Sequence, residues 1–542
     1  MNEGAGHLAR EETLEGRGRR FAAAKPCLQR ARLVAIDWAR SKPVDMRIAA
    51  ILVLLAAVFR FYGIAAQSLW LDEIGEATTA RLPLDALFAS VKGDAAATPL
   101  DFLGVRVVTG LLGTGTTATR FWALAVGCLA VAAVYFTALR LFKSRRAAVL
   151  SAIVLITSPF AIYYSQEARF YSLTMLVSAL SILAFLRAWE MGGVAAWLAF
   201  AGAGALVLYT HYFAAAVLFS TEAAFAIVAS IIVWLRSGRN RTALRSGARR
   251  TSACAMAMII AMALFGPWLF YATLPELGRT YQVQPPPPLD ATEVITFLTD
   301  IFGGLVPGAA SWLTGAVVVA ASAGALRAIV NRRGEVAILL AAIVVAIPVA
   351  WLADTHAHYF WTSRQVAFMV PLVCVLAGGG VWSFGQLVLA FSKKARGSSM
   401  AQSGLVVILG VAWLFVSWSP IQRVYAGDIA KDDWRGVTRL VATTACADAG
   451  FYVNIPDHYQ FGIGYYDSSL IPRSQFLPPR PQGLADYVTG LPFRPHDWLI
   501  VLTYAPGTGS IDALSSRMAV AGWTEHVFVS IRAFERGSSC QP

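Results

Sequence analysis

Charge is scarce in this sequence. Asp, Glu, Lys and Arg make up 14% of the 542 residues, against about 25% in an ordinary soluble domain. That excludes a solvated globular fold for most of the chain. Acids are scarcer than bases, 32 against 45, for a net charge of +13. The bases fall into short segments between apolar runs, so the charge reports membrane topology rather than a nucleic-acid partner. The six cysteines form no CxxC and no Cys/His metal spacing. Cys128, Cys254 and Cys374 lie in apolar runs and read as small hydrophobes. Cys446 and Cys540 lie in the polar C-terminal region, where an oxidising compartment would let them pair. The chain opens on a polar, basic stretch rather than a short apolar segment ending in small residues, so no cleavable signal peptide is expected.

Apolar runs dominate instead. Hydrophobic residues make up 57% of the chain, and several runs reach the ~20 residues that span a bilayer. The expected fold is a polytopic α-helical membrane protein of about eleven spans. Residues 1–47 read as a basic cytoplasmic tail, with a surface-lying helix near Leu28–Ala39. Residues 48–420 hold the spans: the first over Ile48–Ala66, then an outward loop over 67–119, then Arg120–Phe142, Ala147–Ile162, Val194–Tyr209, Ala255–Leu274 and Leu405–Trp418 among the rest. The stretch "RSGRNRTALRSGARR" carries six arginines and no acid, the strongest inside marker. Pro285–Pro288 read as an extended linker on the outside. Residues 421–542 read as a small α/β domain outside the membrane. Within it "GFYVNI", "DWLIVLTYA" and "HVFVSIRAFE" have strand composition. "DWRGVTRLVATTA" and "SIDALSSRMAVAG" have helical spacing, the second with Ser510 as its N-cap. Strands alternating with helices predict a partly parallel sheet.

The polar and aromatic residues gather on the outward loops. "QSLWLDEIGEA" sets Asp72 and Glu73 beside Trp70 just after the first span. Leu84, Leu87, Phe88 and Val91 have i, i+3, i+4, i+7 spacing behind Pro83, which predicts a short amphipathic helix. "TPLDFL" reads as a second helix with Thr98 and Asp101 as a capping box, so Asp101 is expected to be structural. In "SPFAIYYSQEARFYSL", Glu167, Arg169 and Tyr171 sit where a span begins. Arg and Tyr at a helix N-terminus fit an anion site; an aromatic interface belt and an ordinary surface pair fit equally. His211 and Tyr212 in "THYF" fit an interfacial pair or a site. Asp354, His356 and His358 read as loop caps rather than metal ligands. Arg81, Lys92, Arg106, Arg169, Arg279 and Arg364 stand on the outside against the positive-inside bias. An anionic substrate would explain them.

The order "SLWLDEI", "TPLDFL", "SPFAIYYSQEARFYSL", "THYF", "SRQVAFMVPLV", "KDDWR" resembles the dolichyl-phosphate-mannose–protein mannosyltransferase-like family, a glycosyltransferase family 39-like group of GT-C membrane enzymes whose wider superfamily includes bacterial lipid A and lipopolysaccharide-core glycosyltransferases. The resemblance covers about Ile48 to Arg435. It departs at Thr98-Pro99-Leu100, where relatives often carry His-Pro-Pro, and at Arg364-Gln365, where they often carry Arg-Tyr. It implies a GT-C fold. It also implies transfer of one sugar from a polyprenyl-phosphate donor to an acceptor hydroxyl on a glycan, lipid or protein at the extracytoplasmic face, with inversion. Asp72 would be the general base. Glu73 and Glu167 would complete the acids, Glu167 holding the acceptor or a divalent metal. Arg169, Tyr171, His211, Tyr212 and Arg364 would bind substrate. No cofactor is certain, and metal dependence stays open. The rival classes are a transporter or flippase of lipid-linked sugars, which calls for acids or broken helices at mid-membrane and an internal repeat, whereas the ionisable residues here cluster at one face, and a sugar polymerase, which would not account for "LWLDE" with "SQEARFY".

Overall fold

In a bilayer every backbone polar group must be satisfied within the chain, so apolar runs of span length fold as helices. The computed structural model describes residues 43–93, 97–238, 240–275, 287–304, 311–357, 361–391, 397–428, 431–454, 456–477, 484–488, 490–503 and 508–537. Residues 1–42 with Leu28–Ala39, Pro285 and Pro286, Arg279, His358 and Cys540 lie outside them. The chain divides into two compact units, Met1–Leu52 and Val53–Pro542. In the first, the described residues 43–52 are helical.

The second unit opens with helical residues 53–61 (α1). Three short helices follow on the first loop: α2 (Leu71–Arg81), α3 (Leu84–Lys92) and α4 (Pro99–Leu112). The long helices come next: α5 (Thr116–Phe142), α6 (Arg145–Ile156), α7 (Pro159–Ser165), α8 (Tyr171–Met191), α9 (Val194–Leu208), α10 (Tyr212–Arg236) and α11 (Arg241–Trp268). After α12 (Ala291–Thr299) the body closes with α13 (Ser311–Val330), α14 (Val336–Ala357), α15 (Met369–Ala390) and α16 (Ser399–Ala426). Among the described residues, eight helices are long and apolar enough to cross a membrane, nine if α6 and α7 count as one span. α1 and the 15-residue α9 stand at two further expected spans. The fold is the polytopic helical membrane fold that the composition predicts. α13 and α15 cross backbone to backbone: a Cβ on Gly380 would lie 1.8 Å from the Ala320 carbonyl oxygen, and one on Gly324 would lie 1.9 Å from that of Leu376. Small residues at such crossings are how membrane helices pack closely.

Several expectations need correction. The single span read over Ala147–Ile162 is broken by 60° between α6 and α7, because Pro159 starts a new helix that Ser158 caps. The arginine-rich stretch is not all loop. Asn240 caps a helix that begins at Arg241 and carries three turns of basic residues into the apolar run. Pro83 stands at the N-cap of α3 rather than inside it. Thr98 stands at the N-cap of α4, but its side chain makes no capping bond; its hydroxyl donates to the Thr210 carbonyl oxygen at 3.0 Å.

Behind α16 come α17 (Trp434–Thr444), β1 (Phe451–Val453), α18 (Pro456–Tyr466), β2 (Ser474–Phe476), α19 (Leu484–Val488), β3 (Trp498–Leu502), α20 (Ile511–Val520), β4 (Trp523–Phe528) and β5 (Ile531–Arg536). They form a sheet of order β2-β1-β3-β5-β4, parallel from β2 to β3 and antiparallel beyond. "HVFVSIRAFE", read as one strand, is a hairpin turning at Ser530 with φ +56°. Ser510 caps α20 as expected. One core of this sheet, with Trp434, Val437, Phe451 and Trp498, also takes in Leu69 and Ile74 from the first loop. The α/β layer is thus packed onto α2. Cys446 is disulfide-bonded.

Candidate active site

α2 places two adjacent carboxylates on opposite environments. Glu73 is 0% exposed, and its oxygens are fully engaged. Arg120, at the start of α5, donates from Nε to Oε1 at 2.7 Å and from Nη2 to Oε2 at 2.6 Å. Lys431 Nζ reaches Oε2 at 3.2 Å, and the Ala168 amide donates to Oε1 at 2.9 Å. Burial alone would raise the Glu73 pKa, but Arg120 and Lys431 hold it at about 2. Arg120 also donates to the carbonyl oxygens of Ile64, Gln67 and Ser68. Glu73 therefore clamps the end of the first span, α5, the "SQEARFY" turn and the segment before α17.

Asp72 is different. Its side chain is 36% exposed and lies between two guanidiniums, Arg169 Nε at 4.0 Å and Arg364 Nη1 at 3.9 Å. Those separations are at the outer edge of an ion pair, so neither arginine clamps the carboxylate as Arg120 clamps Glu73. Arg169 also approaches Glu76 Oε2 with Nη1 at 3.6 Å. Glu167 is buried and paired to Lys431 Nζ at 3.3 Å. Burial raises its pKa despite that cation.

The turn that carries Glu167 and Arg169 is pinned from below. Arg60, buried at the end of α1, donates from Nε to Ser165 Oγ at 3.1 Å and from Nη2 to the Leu155 carbonyl oxygen at 3.3 Å. Gln166 Nε2 donates back to the carbonyl oxygens of Arg60 and Tyr62 at 3.0 and 2.6 Å. Tyr171 is buried among aromatic rings, 4.8 Å from Tyr164 and 4.6 Å from Phe170 between centroids.

His211 has both ring nitrogens occupied. Nδ1 accepts from the Ala214 amide at 3.2 Å and so caps α10, while Nε2 faces Gln365 Oε1 at 2.8 Å. The cap fixes the neutral tautomer with the proton on Nε2, and burial lowers the pKa to about 4. His211 thereby holds the short turn Ser363–Val366 that presents Arg364. The Tyr212 hydroxyl accepts from Trp268 Nε1 at 2.9 Å and from Thr273 at 3.2 Å, which ties α10 to α11. Asp72, Glu73, Glu167, Arg169 and Arg364 thus form one cluster; His211 and Tyr212 support its rim through their helix.

Sequence reasoning missed four residues. Arg120 looks only like a span boundary, and Lys431 lies in a quoted motif without an assigned partner. Glu76 and Asp101 are each 1% exposed, and Asp101 accepts from Trp122 Nε1 at 2.9 Å instead of capping. The i, i+4 spacing of Asp72 and Glu76 was the available signal for Glu76. Among the described residues, no group of three or more His, Cys, Asp and Glu side chains is placed to hold a metal ion.

A helical membrane body, an acid-bearing helix directly after the first span and an α/β layer seated on that helix define the class: the chain has the GT-C fold. It is similar to the crystal structure of ArnT from Cupriavidus metallidurans bound to undecaprenyl phosphate, with TM-score 0.54 and 14% identity over 90% of this chain and 97% of that one. The apo state of the same protein matches with TM-score 0.53 and 14% identity, over the same shares. Residues 97–271 match the family model described as dolichyl-phosphate-mannose-protein mannosyltransferase, which bears out the resemblance read from the motifs. No curated protein matches the sequence.

Proposed function

We propose that the protein is an integral-membrane glycosyltransferase that moves one sugar from a polyprenyl-phosphate donor to an acceptor hydroxyl at the extracytoplasmic face. The observation that carries this reading is Asp72, half-exposed on a rigid helix at a span mouth and flanked by Arg169 and Arg364. A lipid tail in the bilayer would hold the donor phosphate at that depth, where two guanidiniums meet it. Asp72 takes the acceptor proton as the acceptor oxygen bonds to the anomeric carbon. The bond from that carbon to the phosphate oxygen breaks, and the phosphate leaves with its added charge against Arg169 and Arg364. One displacement inverts the anomeric centre. The undecaprenyl phosphate bound to ArnT supports a lipid phosphate as ligand class. The orientation follows from the basic inside segments, with the α/β layer on the same side as α2 because they share a core.

A transporter of lipid-linked sugars is the second reading, because two of its marks are present. Glu222 is fully buried within α10, where Ser181 donates to its Oε1 at 3.3 Å. α6–α7 is a broken helix, with the seven-residue α7 leading from the break to the "SQEARFY" turn. One assay separates the readings. With membranes, a polyprenyl-phosphate sugar and the native acceptor, Asp72→Asn should lower transfer at least ~100-fold with the protein folded. Near-normal transfer would remove Asp72 as the base. Movement of intact donor across the membrane without transfer would favour the transporter.

A further inference from the structure

Glu76 and Asp101 are two carboxyls buried side by side with too few donors. Asp101 Oδ1 has Trp122 Nε1, but among the described residues Asp101 Oδ2 and both Glu76 oxygens find no hydrogen-bond donor. Among the described residues the groups facing them are these. Glu76, from α2, meets Asp101 from α4, Arg169 from the "SQEARFY" turn and Asp72 from its own helix. Asp101 meets Trp122 from α5, Arg169 and Glu76. Two ionised carboxylates in such a place repel one another and leave acceptors unsatisfied, whereas one proton held between them supplies the missing donor.

We infer that Glu76 and Asp101 share one proton and act as positioning residues for Arg169, setting how much of its charge reaches the substrate phosphate. This rests on the glycosyltransferase reading. With one proton the dyad carries a single negative charge, and Arg169 bridges it to Asp72 through Nη1 and Nε. With none, the doubled charge draws the guanidinium into the pair and away from the phosphate. Burial and repulsion favour keeping the shared proton: burial, then Asp101, push the Glu76 carboxyl well above its ordinary range, and burial raises Asp101 to about 6.

The test uses the full-length protein in lipid nanodiscs. Infrared titration should show, beyond any signal of the buried Glu167 and Glu222, a protonated carboxyl band at neutral pH that is lost in both Glu76→Gln and Asp101→Asn, because the remaining single acid ionises beside Arg169. The Michaelis constant for a polyprenyl-phosphate sugar should rise roughly tenfold on the alkaline limb in the wild type. That rise should vanish in both variants, whose amides cannot reach the doubled charge. A purely structural role would leave the pH profile unmoved. Absence of the band, its survival in both variants, or an alkaline rise that persists in both would overturn the inference. Asp72→Asn should keep the band; its loss there would place the proton on Asp72 and also overturn it. Normal transfer by Asp72→Asn with the band intact would sink the glycosyltransfer assignment of Asp72 while leaving the shared proton standing.

Discussion

Asp72 and Glu73 are neighbours in sequence and opposites in the structure. Glu73 faces inward, meets two cations and a backbone amide, and has no oxygen left to offer. Asp72 faces the other way, half in solvent, with two arginines held at arm's length. The same helix therefore separates a carboxylate that fixes geometry from one available for chemistry. Adjacency in a motif does not imply a shared role; what decides is whether the acid's lone pairs are already spent inside the protein.

The sharpest way to break that comparison is Glu73→Gln. Removing one partner of a buried ion cluster leaves Arg120 without its carboxylate and Lys431 with Glu167 alone, which costs about 3–5 kcal/mol. The expected outcome is a much lower unfolding midpoint in detergent and little protein recovered, not a folded enzyme with a slow turnover. The pH dependence has a definite sign. Because the folded pKa is depressed to about 2 from an ordinary 4.5, the contribution is fully present above about pH 4.5 and lost as pH falls toward about 2. The stability gap between wild type and Glu73→Gln should narrow over that window. A gap that is unchanged down to about pH 2 would show that the charge is not what holds the clamp.

A smaller effect is expected from Arg169→Lys. Lysine keeps the charge but not the planar fork that spans Asp72 and Glu76, so transfer should fall about tenfold with the unfolding midpoint nearly unchanged. If stability falls and the turnover of the folded fraction does not, Arg169 belongs with Glu73 on the structural side of α2.

The body of the fold was legible because a bilayer leaves few solutions for long apolar runs. The break at Pro159 was also visible in principle, since Ser158-Pro159 is a capped helix start, but an unbroken apolar run hid it. The acids and arginines of the cluster stood out as outward polar residues near span ends. Their division of labour did not. Nothing in "LDEIGEA" shows that Glu73 would be met by a residue 47 positions on and another 358 positions on. Asp101 fitted a capping pattern, yet Trp122 claimed its carboxylate and Thr98 turned to the Thr210 carbonyl instead. Glu222 went unread because a lone acid inside an apolar run gives no periodicity to notice. Long-range pairing of buried charge is where local patterns stop being informative.

If Asp72, Arg169 and Arg364 surround the phosphate of a lipid-linked sugar, a structure determined with a polyprenyl phosphate added to the protein will show it. Phosphate density is expected within hydrogen-bond distance of both Arg169 and Arg364 and on the exposed side of Asp72, with Glu73 still clamped between Arg120 and Lys431. Density for the phosphate elsewhere, with neither arginine in contact, would contradict it.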